Sequence, residues 1–209
     1  MSRLIILIAA LLLSAGAGCA PREPLHEPPE DAVVAVAGFS QPRERWEMIT
    51  SHVTVQPKDI GRDIKDKLDS DLVALLRQSD HKILYPEMLQ DCKKEVSEDA
   101  QPQRSAFHYW VQVGQCIQAD YILVPFVFDW KERVGGSWGV QEPAGVVLEL
   151  NLIDLQKLEL HRFLFDERQY ALLEDLSRAG RFFKRGGRWI SARQLANEGL
   201  EKGVRELGL

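Results

Sequence analysis

His161, Asp166 and Glu167 lie within seven residues of each other. A histidine beside carboxylates is the combination used for general acid–base chemistry. The strand they sit on is expected to keep His161 and Glu167 on different sides. A structural role at the strand exit is therefore favoured over catalysis. The other histidines, His26, His52, His81 and His108, are scattered. No two stand three or four residues apart, so no helical metal pair is expected. No Gly-x-Ser-x-Gly elbow is present, and Gly135-Gly136 lacks the lysine and following helix of a phosphate loop. Neither cofactor nor metal is expected.

The strongest local signal is residues 178–188, RAGRFFKRGGR, followed by Trp189. Arg178, Arg181, Lys184, Arg185 and Arg188 are positive, with Phe182, Phe183 and Trp189 interleaved and no acid among them. Such a mixture suits an anionic surface or a flat protein interface. The competing reading is structural: the aromatics cover a sheet, and the arginines pair with acids such as Asp166, Glu167, Glu174 and Asp175. Trp130 and Trp138, flanking a glycine turn, form a second candidate contact site, with packing on the end of the domain as the alternative. Of the three cysteines, Cys92 and Cys116 are candidates for a disulfide, which suits an oxidising compartment. Two buried thiols are the alternative, because sequence does not place their Cα atoms.

These residues need a frame. Residues 32–39 (AVVAVAGF) read as a buried strand. Residues 58–78 place Ile60, Ile64, Leu68, Leu72, Leu75 and Leu76 at helical spacing. A short strand at 81–85 is stopped by Pro86, and a short helix is expected over 87–96. A further helix is expected over 107–118. Residues 120–130 (DYILVPFVFDW) predict a long strand, with Pro125 placing it at an edge or near a bulge. Residues 146–155 alternate, with Val146, Leu148, Leu150 and Leu152 on one face and Glu149 and Asn151 on the other. They form an antiparallel hairpin with 158–169 across Gln156-Lys157. The closing helix, 191–207, begins at a capping box of Ser191 and Gln194. Its two stripe glycines, Gly199 and Gly203, allow close approach to a sheet. The predicted fold is a single three-layer α/β sandwich whose mixed sheet starts parallel and ends in an antiparallel hairpin.

The N-terminus reads as an address. Residues 1–18 carry Arg3, ten apolar residues and a small-residue stretch ending at Cys19. The apolar run is shorter than the ~20 residues a bilayer span needs, and it fits a cleavable signal peptide. Small residues before a cysteine resemble the bacterial lipobox, although Gly16 stands where leucine is preferred. That resemblance implies a lipidated Cys19, carrying palmitate and further acyl chains, which together make a stable membrane anchor. Ala20, rather than Asp, points by the same resemblance to the outer membrane. Residues 19–31 then form a proline-rich tether, and residues 32–209 the domain. With 26 basic and 31 acidic residues and a net charge of -5, broad nucleic-acid binding is excluded.

The step Ala119-Asp120-Tyr121-Ile122, after the strand AVVAVAGF, the helix over Ile60 to Leu76 and the strand KILYP, resembles a group of bacterial envelope proteins. The group includes the TolB amino-terminal domain, the curli-secretion lipoprotein and the penicillin-binding-protein activator lipoprotein. The later part is similar to a set of bacterial lipoproteins with no activity attached. That likeness rests on Trp138-Gly139-Val140 with Pro143-Ala144, on Phe165-Asp166-Glu167 with Gln169, and on Phe182 to Trp189. What the resemblance implies is a non-catalytic adaptor or assembly module, membrane-bound by its lipid and facing the periplasm of the cell envelope. Its partner would be an envelope protein, with Arg181, Phe182, Phe183, Lys184, Arg185, Arg188, Trp189, Trp130 and Trp138 as candidate contacts. The alternatives are a periplasmic hydrolase or small-ligand-binding protein using Asp166/Glu167, and a ring-forming homo-oligomer.

Overall fold

A computed structural model describes residues 27–50, 59–98, 105–137, 139–169 and 185–209. The chain order is β1 (Val33–Val36), α1 (Arg62–Leu76), β2 (Lys82–Leu84), α2 (Gln90–Glu98), α3 (Ala106–Cys116), β3 (Tyr121–Lys131), β4 (Val134–Gly135), β5 (Val140–Glu142), β6 (Gly145–Asp154), β7 (Glu159–Arg168) and α4 (Ala192–Glu206). Five strands form one sheet in the order β2-β1-β3-β6-β7, and β4 and β5 form a separate small hairpin. β1 is parallel to both β2 and β3, whereas β3–β6 and β6–β7 are antiparallel. The architecture is the mixed α/β sandwich expected.

Strand periodicity explains the three layers. Val34, Val36, Leu123, Val146, Leu148, Leu150 and Leu152 point to one face, where they meet Leu68, Leu72 and Leu76 of α1 and Leu195, Ala196 and Leu200 of α4. Ala35, Ile122, Val124, Phe126 and Ile153 point to the other, against Val96 of α2 and Trp110, Val111 and Val113 of α3. Both faces are covered, so β1 and β3 are largely apolar on both sides.

α1 starts at Arg62 rather than at 58, with Gly61 as its cap residue. The stretch before α2 is a 3-10 turn over Pro86–Leu89. Of the two placements Pro125 predicts, the edge is absent, since β3 is central, and the nearby bulge is present. The β1 ladder against β3 ends at Val36 opposite Leu123. The chain then swings out through Gly38, at φ +78, and returns as a lone bridge between Ser40 and Phe126. Ser40 donates to the Pro125 carbonyl and accepts from the Val127 amide. The donor that proline lacks therefore falls where β1 has already left the sheet. A bulge does follow, between Val127 and Asp129, on the β6 side.

α4 opens with the predicted capping box, as Ser191 and Gln194 satisfy each other's backbone amides. A Cβ on Gly203 would lie 2.5 Å from Leu150 and 2.7 Å from Phe163. A Cβ on Gly199 would lie 2.7 Å from Phe165. These two glycines set how closely the helix lies on β6 and β7.

Candidate functional site

The far ends of β3, β6 and β7 meet at one pole of the molecule, with Lys131 opposite Gly145 and Gly145 opposite Arg168. The β4–β5 hairpin and residues 185–191 are joined there. The Trp189 amide donates to the Ser137 carbonyl at 2.9 Å, and the Arg133 guanidinium donates to the Trp189 carbonyl. Gln169 accepts from the Ile190 amide at 2.9 Å through its side-chain oxygen, while its backbone N–H donates to the Ala144 carbonyl. Glu132 accepts from the Ala192 amide at 3.1 Å, placing a carboxylate at the α4 N-terminus, where the helix dipole favours it. Gly135, at φ +116, makes the hairpin: a Cβ there would meet the Gly139 carbonyl at 2.7 Å.

Arg185 is turned inward. Its side chain is 9% exposed and forks onto Glu198 of α4 at 2.6–3.2 Å, with Glu167 of β7 at 3.6 Å. Although burial lowers the affinity of the guanidinium for its proton, Glu198 and Glu167 outweigh that and raise it. This agrees with the structural reading for this arginine, including Glu167 as an acceptor. Arg188 is exposed, Trp189 half-buried, and Trp130 packs half-buried against the α1/α4 side of the core. Val134 adds an exposed apolar side chain, at 46%. Cys19, Trp138, Arg181, Phe182, Phe183 and Lys184 lie outside the described residues.

His161 and Glu167 share a face of β7, contrary to the expected separation, because they are an even number of residues apart. At about 3.3 Å per residue they are nonetheless about 20 Å apart along the strand. Asp166 points to the opposite face from Glu167, and Glu167 is engaged by Arg185. The three groups do not converge on a reacting atom. Among the described residues, no group of three or more His, Cys, Asp or Glu could hold a metal ion. Nor is any helix among them long and apolar enough to cross a membrane.

Cys92 and Cys116 are bridged, with Cα atoms 5.8 Å apart, tying α2 to the end of α3. Two polar clusters were not read from the sequence. At the end of β1, Asp69 of α1 accepts from the Phe39 amide, and Lys93 of α2 donates to the Ala37 carbonyl, each at 2.5 Å. Lys93 also stands over the Trp110 ring, 5.3 Å from its centroid. Burial raises the Asp69 carboxyl above its ordinary range and lowers the Lys93 ammonium below its own. Both groups are committed to backbone, so they hold the swing at Gly38. The second cluster lies beneath residues 48–50. Fully buried Glu149 accepts from Arg162 at 2.7 Å, Asn151 at 3.0 Å and Thr50 at 3.3 Å. Its signal in the sequence was a lone acid flanked by leucines.

The opposite pole holds the start of β1. There a cavity of about 240 Å³ is lined by Pro29, Asp31, Ala32, Asp120, Tyr121, Asp154 and Gln156. Burial raises the Asp154 carboxyl, but the amides of Lys157 and Gln156, with the Lys157 ammonium and the Tyr121 hydroxyl, together bring it below its usual range.

With this geometry in place, the chain can be set beside known proteins. Its arrangement of elements is similar to that of several solved bacterial structures. Against the PelC dodecamer from Paraburkholderia phytofirmans, identity is 14% and the TM-score 0.46, covering 90% of this chain and 94% of that one. Against the lipoprotein GNA1162 from Neisseria meningitidis, identity is 11% and the TM-score 0.42, covering 79% and 97%. Against the LpoB C-terminal domain from Salmonella enterica, identity is 13% and the TM-score 0.39, covering 66% and 83%. No protein-family model and no curated protein matches the chain. At these values the likeness concerns the arrangement of elements and carries nothing about activity.

Proposed function

We propose that the chain is a non-catalytic adaptor lipoprotein, anchored by Cys19 in the bacterial outer membrane and facing the periplasm. Its domain engages an envelope protein through the pole made by the β4–β5 hairpin and residues 185–189. The observation that carries this reading is the placement of that pole. β1 begins at one end of the sheet, and the hairpin with Arg188, Trp189 and Val134 stands at the other. β3 runs between them, and its eleven residues span roughly 35 Å. A lipid at the N-terminus would then leave the hairpin pole pointing away from the bilayer. The backbone there is fixed by five hydrogen bonds from Arg133, Gln169, Glu132 and Ser137 partners. A fixed backbone lowers the ordering cost of docking.

Photo-crosslinking in living cells tests the surface, with probes at Val134, Arg188 and Phe183. Leu158, 53% exposed at the opposite pole, is the control position. A discrete adduct from the first three but not from Leu158 is expected. No adduct, or equal capture from Leu158, would remove the proposed surface. Intact mass of the membrane-fraction protein, with and without Cys19→Ala, tests the anchor. A mass beginning at residue 19 plus a triacyl group is expected, and an unlipidated soluble chain would overturn it.

A further inference from the structure

The pole where β1 begins contains a second device, centred on His81, which precedes β2. Its Nδ1 lies 3.1 Å from the carbonyl oxygen of Pro29, on the segment leading into β1. Its Nε2 lies 3.1 Å from the carbonyl oxygen of Gly208, just past α4. Both neighbours are pure acceptors. A neutral imidazole carries one N–H, so it can donate to only one of them and turns a lone pair toward the other. Only the imidazolium donates to both. We propose that His81 is a proton-operated clasp, closing the segment that leads into β1 onto the end of α4 when doubly protonated and releasing one of the two when neutral.

The surrounding contacts make this site a joint. The Pro29 carbonyl also accepts from the Ala32 amide at 2.9 Å, and the Ala32 carbonyl accepts from the Lys82 amide at 3.2 Å. The Leu209 amide donates to Val204 at 3.0 Å, closing the chain after α4. One ring therefore sits where three segments converge: the approach to β1, the start of β2 and the end of α4. The charged residues beside these contacts along the chain are Asp80 and Lys82 on its own segment, Glu30 and Asp31 after Pro29, and Arg205 and Glu206 in the last turn of α4. Asp120 and Asp154 line the cavity beside Pro29. Histidine is the side chain whose charge changes most readily between pH 5 and 8. The clasp would thus set how firmly the domain is held to the segment preceding it, over the range of pH an envelope meets. It does not depend on the partner-binding surface at the other pole.

Amide hydrogen exchange on the full chain tests it, expressed as protection relative to intrinsic rates at pH 5.5 and pH 8.0. Ala32 and Leu209 report on the two sides of the clasp, and Leu123 in central β3 reports on the whole fold. Protection at Ala32, at Leu209 or at both should fall about three- to tenfold toward pH 8.0, the loss of one hydrogen bond, while Leu123 stays constant. In His81→Gln that pH dependence should vanish. Equal protection at both pH values in the native chain, or unchanged pH dependence in the variant, would overturn the clasp. The ¹⁵N shifts of the His81 ring give a check that needs no variant. A ring with one unprotonated nitrogen at pH 5.5, while both amides remain protected, also overturns it.

Discussion

Replacing Arg185 by methionine separates a structural arginine from one displayed for a partner. The substitution keeps the length and apolar stem and removes the fork onto Glu198, along with the contact to Glu167. Breaking a fully buried pair costs about 3–5 kcal/mol, because a charge is left in the interior without its partner. Glu198 is 34% exposed and can be rehydrated, whereas Glu167, at 7%, cannot. The cost should therefore lie near about 2–3 kcal/mol, below the full range. For a domain of this size that is a fall in Tm of roughly 4–12 °C. Urea unfolding followed by tryptophan fluorescence should show a lower midpoint with an unchanged slope. Arg185→Lys should lose about 1 kcal/mol, since an ammonium cannot reproduce the bidentate geometry. If Arg185→Met changes stability by less than about 0.5 kcal/mol, the size of an ordinary surface substitution, the reasoning fails. Arg185 would then belong with the displayed residues.

Three further outcomes follow from particular contacts. Gly203→Ala should destabilise by about 1–2 kcal/mol in thermal unfolding, since overpacking against Leu150 and Phe163 exceeds the gain in helix propensity. Cys92→Ala with Cys116→Ala should cost about 3 kcal/mol in non-reducing urea titrations, from the 24-residue separation that the bridge closes. Asp154 has a depressed carboxyl, so the unfolded chain binds its proton more readily than the folded one. Its stabilising contribution is present above the ordinary carboxylate range and is lost as pH falls through the folded value. Asp154→Asn should therefore flatten the acid limb of the stability–pH curve, and an unchanged limb would contradict the assignment.

What the sequence made legible follows from how local each signal is. The Ser191–Gln194 box needs only four residues, and it appears in the structure as read. The alternation over β6 sorted Leu148 and Leu150 from Glu149 and Asn151 correctly, because period two is a property of the strand itself. It gave no sign that Glu149 and Asn151 would be fully buried. That depends on residues 48–50 and on Arg162 coming from elsewhere in the chain. Pro125 misled as to the edge, though not the bulge, for the same reason. A missing donor marks an edge only if a neighbour stands opposite, and here β1 has already departed. Arg185 was one positive among five, and its burial was decided by Glu198 on a helix whose position no local pattern fixes.

The parallel placement of β1 between β2 and β3 has a mechanical consequence. β1 is approached at one pole, while β3 delivers the chain to the hairpin at the other. A pull applied between those poles runs along the strands, so the backbone hydrogen bonds flanking β1 are loaded in shear. They would bear the force together, rather than being peeled one at a time as at an unzipping edge. A domain held at one pole and pulled at the other would therefore resist until those bonds fail together. Force spectroscopy across residues 32 and 134 would read this as a single high-force rupture.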